Sequence, residues 1–104
     1  MAVPIAAFAQ QTKEFRITAH EFSFKPSSIQ VPQGQVKLTV TNRGKFPHGL
    51  TIVGRDEKLR YIESDETQSL TLNFNKPEEL AFYCPQPGHR KKGMEGRLTV
   101  RRTQ

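Results

Sequence analysis

The sequence predicts an all-β fold, a sandwich of seven or eight short strands, and three observations lead to this prediction. Apolar and polar residues alternate with a period of two along much of the chain, as in strands with one buried face. Residues that favour turns, mainly proline, glycine, asparagine and serine, separate these runs. The sequence contains no convincing long helix and no internal repeat. Such a chain is expected to pack its strands as two sheets around one core.

The first strands are predicted directly after the N-terminal segment. Alternation begins at Lys13 and continues through Phe22-Ser23-Phe24 until Pro26-Ser27-Ser28 interrupts it. A short strand then ends at Pro32-Gln33-Gly34, a turn signal because proline fixes φ and glycine permits a positive φ. Residues 35–42 form the clearest strand. The apolar residues of these strands are Phe15, Ile17, Ala19, Ile29, Val31, Val36, Leu38 and Val40.

A charged stretch at residues 54–67 separates the remaining strands. It follows a strand at residues 50–53 and mixes acidic with basic side chains, so we expect a solvent-exposed excursion that carries a helical turn. Three apolar residues could anchor it to the core: Leu59, Tyr61 and Ile62. The apolar residues of the later strands are Leu70, Leu72, Phe74, Leu80, Phe82, Leu98 and Val100.

The length of 104 residues fits a single domain, which we place at residues 13–104. Residues 1–12 precede it and contain Ala7-Phe8-Ala9, which matches the small-x-small pattern of a signal-peptidase site. A basic region is lacking and the apolar part is short, so this segment is either the remnant of a signal peptide or an ordinary mobile terminus. No run approaches the roughly 20 apolar residues of a membrane helix, and we expect no stable membrane insertion.

The charge balance is basic, with 16 lysine and arginine residues against 10 acidic residues and a net charge of +6. Such a surplus favours association with anionic partners. The sequence has no zinc-finger spacing, no RNA-binding motif and no continuous basic arm, which argues against nucleic acid. An acidic protein or an anionic membrane surface explains the charge equally well.

The most informative stretch is the loop from Cys84 to Met94. It offers a thiol, then an imidazole five residues later at His89, and then the thioether of Met94. Two prolines and two glycines force the backbone between them into a loop. Three soft or borderline ligands so close together suggest copper, since two histidines, a cysteine and a weak axial methionine distinguish a blue-copper site from a zinc site. The lone cysteine is otherwise a buried hydrophobe or a reactive thiol, because it cannot form an internal disulfide.

A second histidine must come from another part of the chain, and only His20 and His48 remain. His48 lies in a turn, Lys45 to Gly49, between two predicted strands, and we predict it as the second nitrogen ligand. His20 lies among strand residues beside Glu21, and we interpret it as structural or exposed. Met94 is either the weak axial ligand or an apolar residue that fills a gap.

These residues resemble the cupredoxins, the small type 1 copper proteins that include plastocyanin, azurin and auracyanin. The resemblance extends from about Phe15 to Arg101 and is most specific at Phe46-Pro47-His48 and in the Cys84–Met94 loop. It implies Greek-key topology, one copper ion and a solvent-edge role for His89 in electron exchange. Many relatives carry an asparagine after the first histidine, which hydrogen-bonds to the cysteine loop. This chain has Gly49 there, which we expect to keep side chains away from the metal.

The predicted function is one-electron transfer between redox partners, without enzymatic activity. Four protein ligands leave no open position for a substrate. Multicopper oxidases and copper nitrite reductases need further histidine clusters, and only His20 would be left. A binuclear electron-transfer centre would need two cysteines. The alternative is a copper carrier or storage protein, which the sequence does not separate sharply from an electron shuttle.

A basic run, Arg90-Lys91-Lys92, directly follows His89. A charge run is usually a solvated face, but this one adjoins the ligand expected to meet partners. We therefore expect it to steer an acidic redox protein to a monomeric carrier through a small, transient and salt-sensitive interface. Thiolate-bound copper is poorly compatible with a reducing cytosol, so we expect a periplasmic or otherwise extracytoplasmic location.

Overall fold

The computed structural model describes residues 12–102. This part of the chain contains nine strands and no helix, and therefore no helix that could cross a membrane. The strands are β1 (Lys13–His20), β2 (Ser23–Lys25), β3 (Ser28–Pro32), β4 (Gly34–Asn42), β5 (His48–Ile52), β6 (Lys58–Ile62), β7 (Thr67–Phe74), β8 (Glu78–Tyr83) and β9 (Glu95–Arg101). The predicted segment at residues 1–12 lies, except for its last residue, outside the described residues.

The strands form two sheets, with the orders β2-β1-β4-β7 and β3-β9-β8-β5-β6. Strand β1 pairs with β4 in parallel, and so does β3 with β9, whereas the other pairs are antiparallel. Parallel neighbours need a crossover connection, and here the chain makes it by entering the opposite sheet. The predicted all-β Greek-key sandwich is thus confirmed, with two mixed sheets.

One hydrophobic core lies between the sheets, and the predicted alternation accounts for most of it. Ile17 and Leu38 from the first sheet and Leu50, Phe82 and Leu98 from the second belong to the same buried cluster. Successive side chains of a strand point to opposite faces, so every second residue enters this layer. Burying a side chain of this size stabilises the fold by roughly 1.5–3 kcal/mol.

Strand β6 lies where we expected a solvated excursion with a helical turn, so that prediction was wrong. Of the three residues that could anchor this stretch to the core, Leu59 and Ile62 are buried, whereas Tyr61 is 54% exposed. Leu59 pairs with Leu50 and Ile62 pairs with His48, so β6 has one residue more than β5 between these pairs. This β-bulge points two residues three positions apart towards the core. Two buried residues three positions apart are also typical of one helical turn, which this stretch was predicted to contain.

The chain also reverses where the first alternation was expected to continue. Ala19 pairs with Phe24 and His20 pairs with Ser23, in an antiparallel hairpin of β1 and β2. The turn consists of Glu21 and Phe22, and Phe22 adopts a φ of 111°, which is rare for a residue with a side chain. Both Ala19 and Phe24 are buried, although an odd number of positions separates them. In the sequence, the turn is therefore visible only as a switch of the buried positions from odd to even residue numbers.

Candidate metal centre

Two distant parts of the chain meet at one end of the second sheet. Strand β5 begins at His48, and β8 ends at Tyr83, one residue before Cys84. Strands β5 and β8 are antiparallel, with Tyr83 opposite Thr51, so the chain that leaves β8 runs towards His48 at the start of β5. The loop from Cys84 to Met94 then carries His89 to the same place.

The ligand atoms of His48, Cys84 and His89 all lie within 4.8 Å of one another. The two Nδ1 atoms are 3.2 Å apart, and Cys84 Sγ lies 3.8 Å from His48 Nδ1 and 3.5 Å from His89 Nδ1. A point equidistant from the three atoms lies about 2 Å from each, close to the usual length of metal–imidazole and metal–thiolate bonds. The residues therefore fit a metal ion held by two nitrogens and one sulfur.

The imidazole of His48 is fully buried and is fixed through its other nitrogen. His48 Nε2 lies 2.8 Å from Glu21 Oε2, which leaves Nδ1 facing the sulfur. Asn42 fixes the preceding loop, because its Nδ2 donates to the carbonyls of Phe46 and Ile62 and its Oδ1 accepts from the Gly44 N–H. The ring is therefore held by side chains that do not themselves bind the metal.

The thiol of Cys84 is buried and receives two backbone N–H groups. Burial raises the pKa of Cys84, and hydrogen bonds from the N–H groups of Gln86 and Gly49 act in the opposite direction. These donors face the sulfur, where they stabilise negative charge. A bound metal cation would displace the thiol proton, since cysteine ligates as the thiolate.

His89 lies in a loop of overlapping turns. Its N–H donates to the carbonyl of Gln86, and its own carbonyl accepts from the N–H groups of Lys92 and Met94. The ring is only partly buried, and Phe22 packs against it edge-on with centroids 5.0 Å apart. Burial lowers the pKa of His89, with His48 as the second cause. The neutral imidazole, which is the form that binds a metal, is thereby favoured.

Met94 is fully buried in the same core cluster as Cys84. The N–H of Cys84 donates to the Met94 carbonyl over 3.1 Å, which closes the loop on itself. The Met94 side chain therefore lies in the interior, at the end of the loop that carries Cys84 and His89. His20 is partly buried in β1 and is not a member of the group, the one cluster of this kind among residues 12–102.

Glu21, Asn42 and Phe22 contact the two histidines or their loops, and the sequence analysis missed all three in this role. Each contact depends on how separate loops approach one another. Gly49 was expected to avoid crowding the metal, and the structure gives a separate reason for glycine at this position. A Cβ atom there would lie 2.5 Å from the Leu59 carbonyl oxygen and 2.8 Å from that of Arg60. Glycine is thus required because β6 passes close to β5.

The basic run lies on the loop beside His89. The Arg90 guanidinium covers the Tyr83 ring at 4.1 Å from its centroid and pairs with Glu95 at 3.3 Å. Lys92 Nζ lies 5.2 Å from the centre of the Phe22 ring, and Lys91 is exposed. Two of the three cations are therefore held against aromatic rings that flank the site.

The sequence matches the cupredoxin-like domain family over residues 1–100, so the chain belongs to that family. A comparison with curated proteins found no match. Among solved structures, the chain is similar to the dithionite-reduced auracyanin of the photosynthetic bacterium Roseiflexus castenholzii, with a TM-score of 0.78 and 18% identity over 86% of this chain and 97% of that one.

Two further structures share the fold. Auracyanin B has a TM-score of 0.77 and 20% identity, with 86% of this chain and 88% of that chain covered. The blue copper oxidase of Nitrosomonas europaea has a TM-score of 0.74 and 19% identity, with 90% of this chain but only 40% of that chain covered. At these identities the likeness concerns the fold alone.

Proposed function

We propose that this protein is a small electron carrier that binds one type 1 copper ion through His48, Cys84 and His89, with Met94 as a weak axial ligand. The observation that carries the proposal is the triangle of two imidazole nitrogens and one thiol sulfur around a common point. The loop that supplies two of these donors ends at the buried Met94. This donor set is typical of blue-copper sites. Copper, when bound, supplies a one-electron couple between Cu(I) and Cu(II).

The protein's own contribution is to hold the donors in place. Asn42 fixes the loop before His48, and the N–H groups of Gly49 and Gln86 face the Cys84 sulfur. These contacts restrict how far the donors can move. A site that moves little between oxidation states suits electron transfer, and outer contacts of this kind tune a metal's potential.

His89 is the donor through which electrons would pass. It is partly exposed, whereas His48 and Cys84 are buried, so its ring edge is the shortest way from the site to a partner. The chain holds three histidines and the site uses two, which leaves one for any second copper centre. This shortage supports a carrier over an oxidase or a reductase.

The proposal includes an acidic redox partner that docks beside His89. The exposed Lys91 and the ring-bound Arg90 and Lys92 lie on the ligand's own loop, in a chain with a net charge of +6. Positive charge around an electron-exit point raises the rate of encounter with an anionic protein. We propose a monomer that works outside the cytoplasm.

Voltammetry of the copper-loaded protein, combined with competition by a Cu(I) chelator, tests the electron-carrier function. We expect a reversible one-electron wave and slow loss of Cu(I) from the reduced protein to the chelator. The variant His20→Gln should behave in the same way, because His20 lies outside the site. An irreversible wave with rapid surrender of Cu(I) would contradict electron transfer and would favour a copper carrier.

A further inference from the structure

The β1–β2 turn adds a side chain to the site that no ligand motif contains. We propose that Glu21 is a positioning residue of the metal centre: it fixes the tautomer and orientation of the His48 ring, and its negative charge favours the oxidised form of bound copper. The inference deepens the proposed function and rests on it for the redox part. The positional part concerns the protein without metal and stands independently.

The hydrogen bond itself determines where the proton of His48 lies. Glu21 Oε2 is 2.8 Å from His48 Nε2, and an ionised carboxylate can only accept hydrogen bonds. Nε2 is therefore the protonated nitrogen, and Nδ1 keeps its lone pair for the metal. Carboxylate–histidine–metal arrangements of this kind orient the ring and raise the basicity of the ligand.

The Glu21 carboxylate is itself fixed by backbone N–H groups of the loop that carries His48. Its Oε1 accepts the N–H of Lys45 at 2.6 Å, so one carboxyl group joins the β1–β2 turn to the loop that carries His48. The pKa of Glu21 is lowered, first by that backbone N–H and then by His48, and a further N–H from Phe46 acts in the same direction. The donors that face this carboxylate match its ionised form, which only accepts hydrogen bonds.

Gly44 leaves the space that the carboxylate occupies. A Cβ atom at this position would overlap Glu21 Oε2 and lie 2.9 Å from His48 Nε2. Gly44 is buried, and its carbonyl accepts the Ser64 hydroxyl at 2.6 Å, so the backbone there has little freedom to move away. The residue at position 44 is therefore part of the arrangement that brings Glu21 to the ring.

The charge acts on the metal through one imidazole ring. Replacing a neutral partner of the histidine by a carboxylate adds a full negative charge behind the ligand, and this stabilises Cu(II) more than Cu(I). His48 is fully buried, so little water lies between this charge and the donor atoms. The reduction potential is therefore lower than it would be with an uncharged acceptor.

The experiment compares Glu21→Gln with Glu14→Gln in the full-length copper protein. Glu14 lies on the same hairpin, about 20 Å along β1, and its carboxylate also accepts a short side-chain hydrogen bond, from Thr39. Both variants remove one negative charge. We expect Glu21→Gln to shift the equilibrium with a redox reagent at least tenfold towards the reduced protein, which corresponds to about 59 mV for one electron. Glu14→Gln should shift it less than twofold.

The second measurement uses the metal-free protein and compares wild type with Glu21→Ala. Nitrogen NMR of the imidazole rings should show His48 protonated at Nε2, and Glu21→Ala should give a mixture of tautomers. Equal potentials in the two glutamine variants would overturn the electrostatic part, and a wild-type His48 protonated at Nδ1 would overturn the positional part. If the protein forms no type 1 site but keeps the Nε2 proton, the proposed function fails while the positioning role survives.

Discussion

Gly49 and Cys84 are linked at the scale of single residues. The Gly49 N–H faces the Cys84 sulfur, and the backbone of β6 passes so close to Gly49 that no side chain fits there. Gly49 lies between the pairs His48–Ile62 and Leu50–Leu59. At this point the β-bulge places two residues of β6 opposite the single residue Gly49 of β5. The same backbone position thus serves the packing of the sheet and the environment of the sulfur.

Gly49→Ala is expected to disturb both the packing of β5 against β6 and the environment of the Cys84 sulfur. Forcing a methyl group against two carbonyl oxygens should lower the free energy of unfolding by about 1–3 kcal/mol and should move the N–H away from Cys84. Chemical denaturation of the metal-free protein and the visible spectrum of the copper protein measure the two effects. Gly54→Ala is the control, because Gly54 has a φ of +89° but no atom within 4 Å of its Cβ position. It should lose stability and keep the wild-type spectrum.

The positions of single residues could be predicted only where the sequence keeps them close together. Cys84, His89 and Met94 lie on one loop, so their spacing indicated a shared site before any fold was known. His48 was predicted because it lies in a turn between two predicted strands and only His20 remained as an alternative. Glu21 could not be predicted, since its contact with His48 requires two turns that are 27 positions apart to meet.

At the scale of elements, the alternation of apolar and polar residues predicted the buried positions correctly where the strands pair without interruption. It failed where a bulge or a turn interrupts the pairing. Strand β4 pairs residue by residue with β1 and β7, and its predicted core residues are buried. The bulge in β6 and the β1–β2 turn break the period of two, and both were misread. Both irregular regions contact the site. The Ile62 carbonyl of β6 accepts a hydrogen bond from Asn42, and the β1–β2 turn carries Glu21, which contacts His48.

The Glu14–Thr39 contact between β1 and β4 gives the first sheet a pH dependence. Thr39 Oγ1 donates to Glu14 Oε2 at 2.6 Å, and this bond is the main reason why the pKa of Glu14 is lowered. A carboxyl whose folded pKa is depressed adds stability above its unfolded pKa, and this stability disappears as the pH falls through the folded value. Wild type should exceed Glu14→Gln in stability at neutral pH, with a gap that narrows in acid.

Denaturation midpoints of wild type and Glu14→Gln, measured from neutral pH to acid, test this expectation. Thr39→Val should raise the pKa of Glu14 towards its ordinary value, which NMR titration of the carboxyl carbon would record. A constant gap at all pH values, or an unchanged Glu14 pKa in Thr39→Val, would contradict the assigned cause.

At the scale of the whole molecule, the site lies at one end of the sandwich and the basic run lies beside it. Lys91 and its neighbours follow His89, whereas Lys76 lies before β8, at the opposite end of the strand that leads to Cys84. The all-β fold and the meeting of the two loops were predictable, because alternation and ligand spacing are local signals. The direction from which a partner approaches depends on the combined field of many charges.

Small redox reagents of opposite charge measure that field without a known partner. We expect Lys91→Glu to slow oxidation of the reduced copper protein by ferricyanide, an anion, about threefold or more at low ionic strength, and to speed oxidation by a cationic cobalt(III) complex. Lys76→Glu makes the same change in net charge far from His89 and should have a smaller effect. Stopped-flow rates over a range of salt concentrations record both. Equal effects of the two variants would contradict a docking face at the basic run.

The most direct test of the central claim, one copper ion bound through the sulfur of Cys84, is a titration of the metal-free protein with Cu(II) followed by visible absorption. We predict that one equivalent of copper gives wild type an intense thiolate-to-copper band, and that Cys84→Ser, which keeps both histidines, gives none. A wild-type protein that stays colourless, or a serine variant with the same band, would contradict the account.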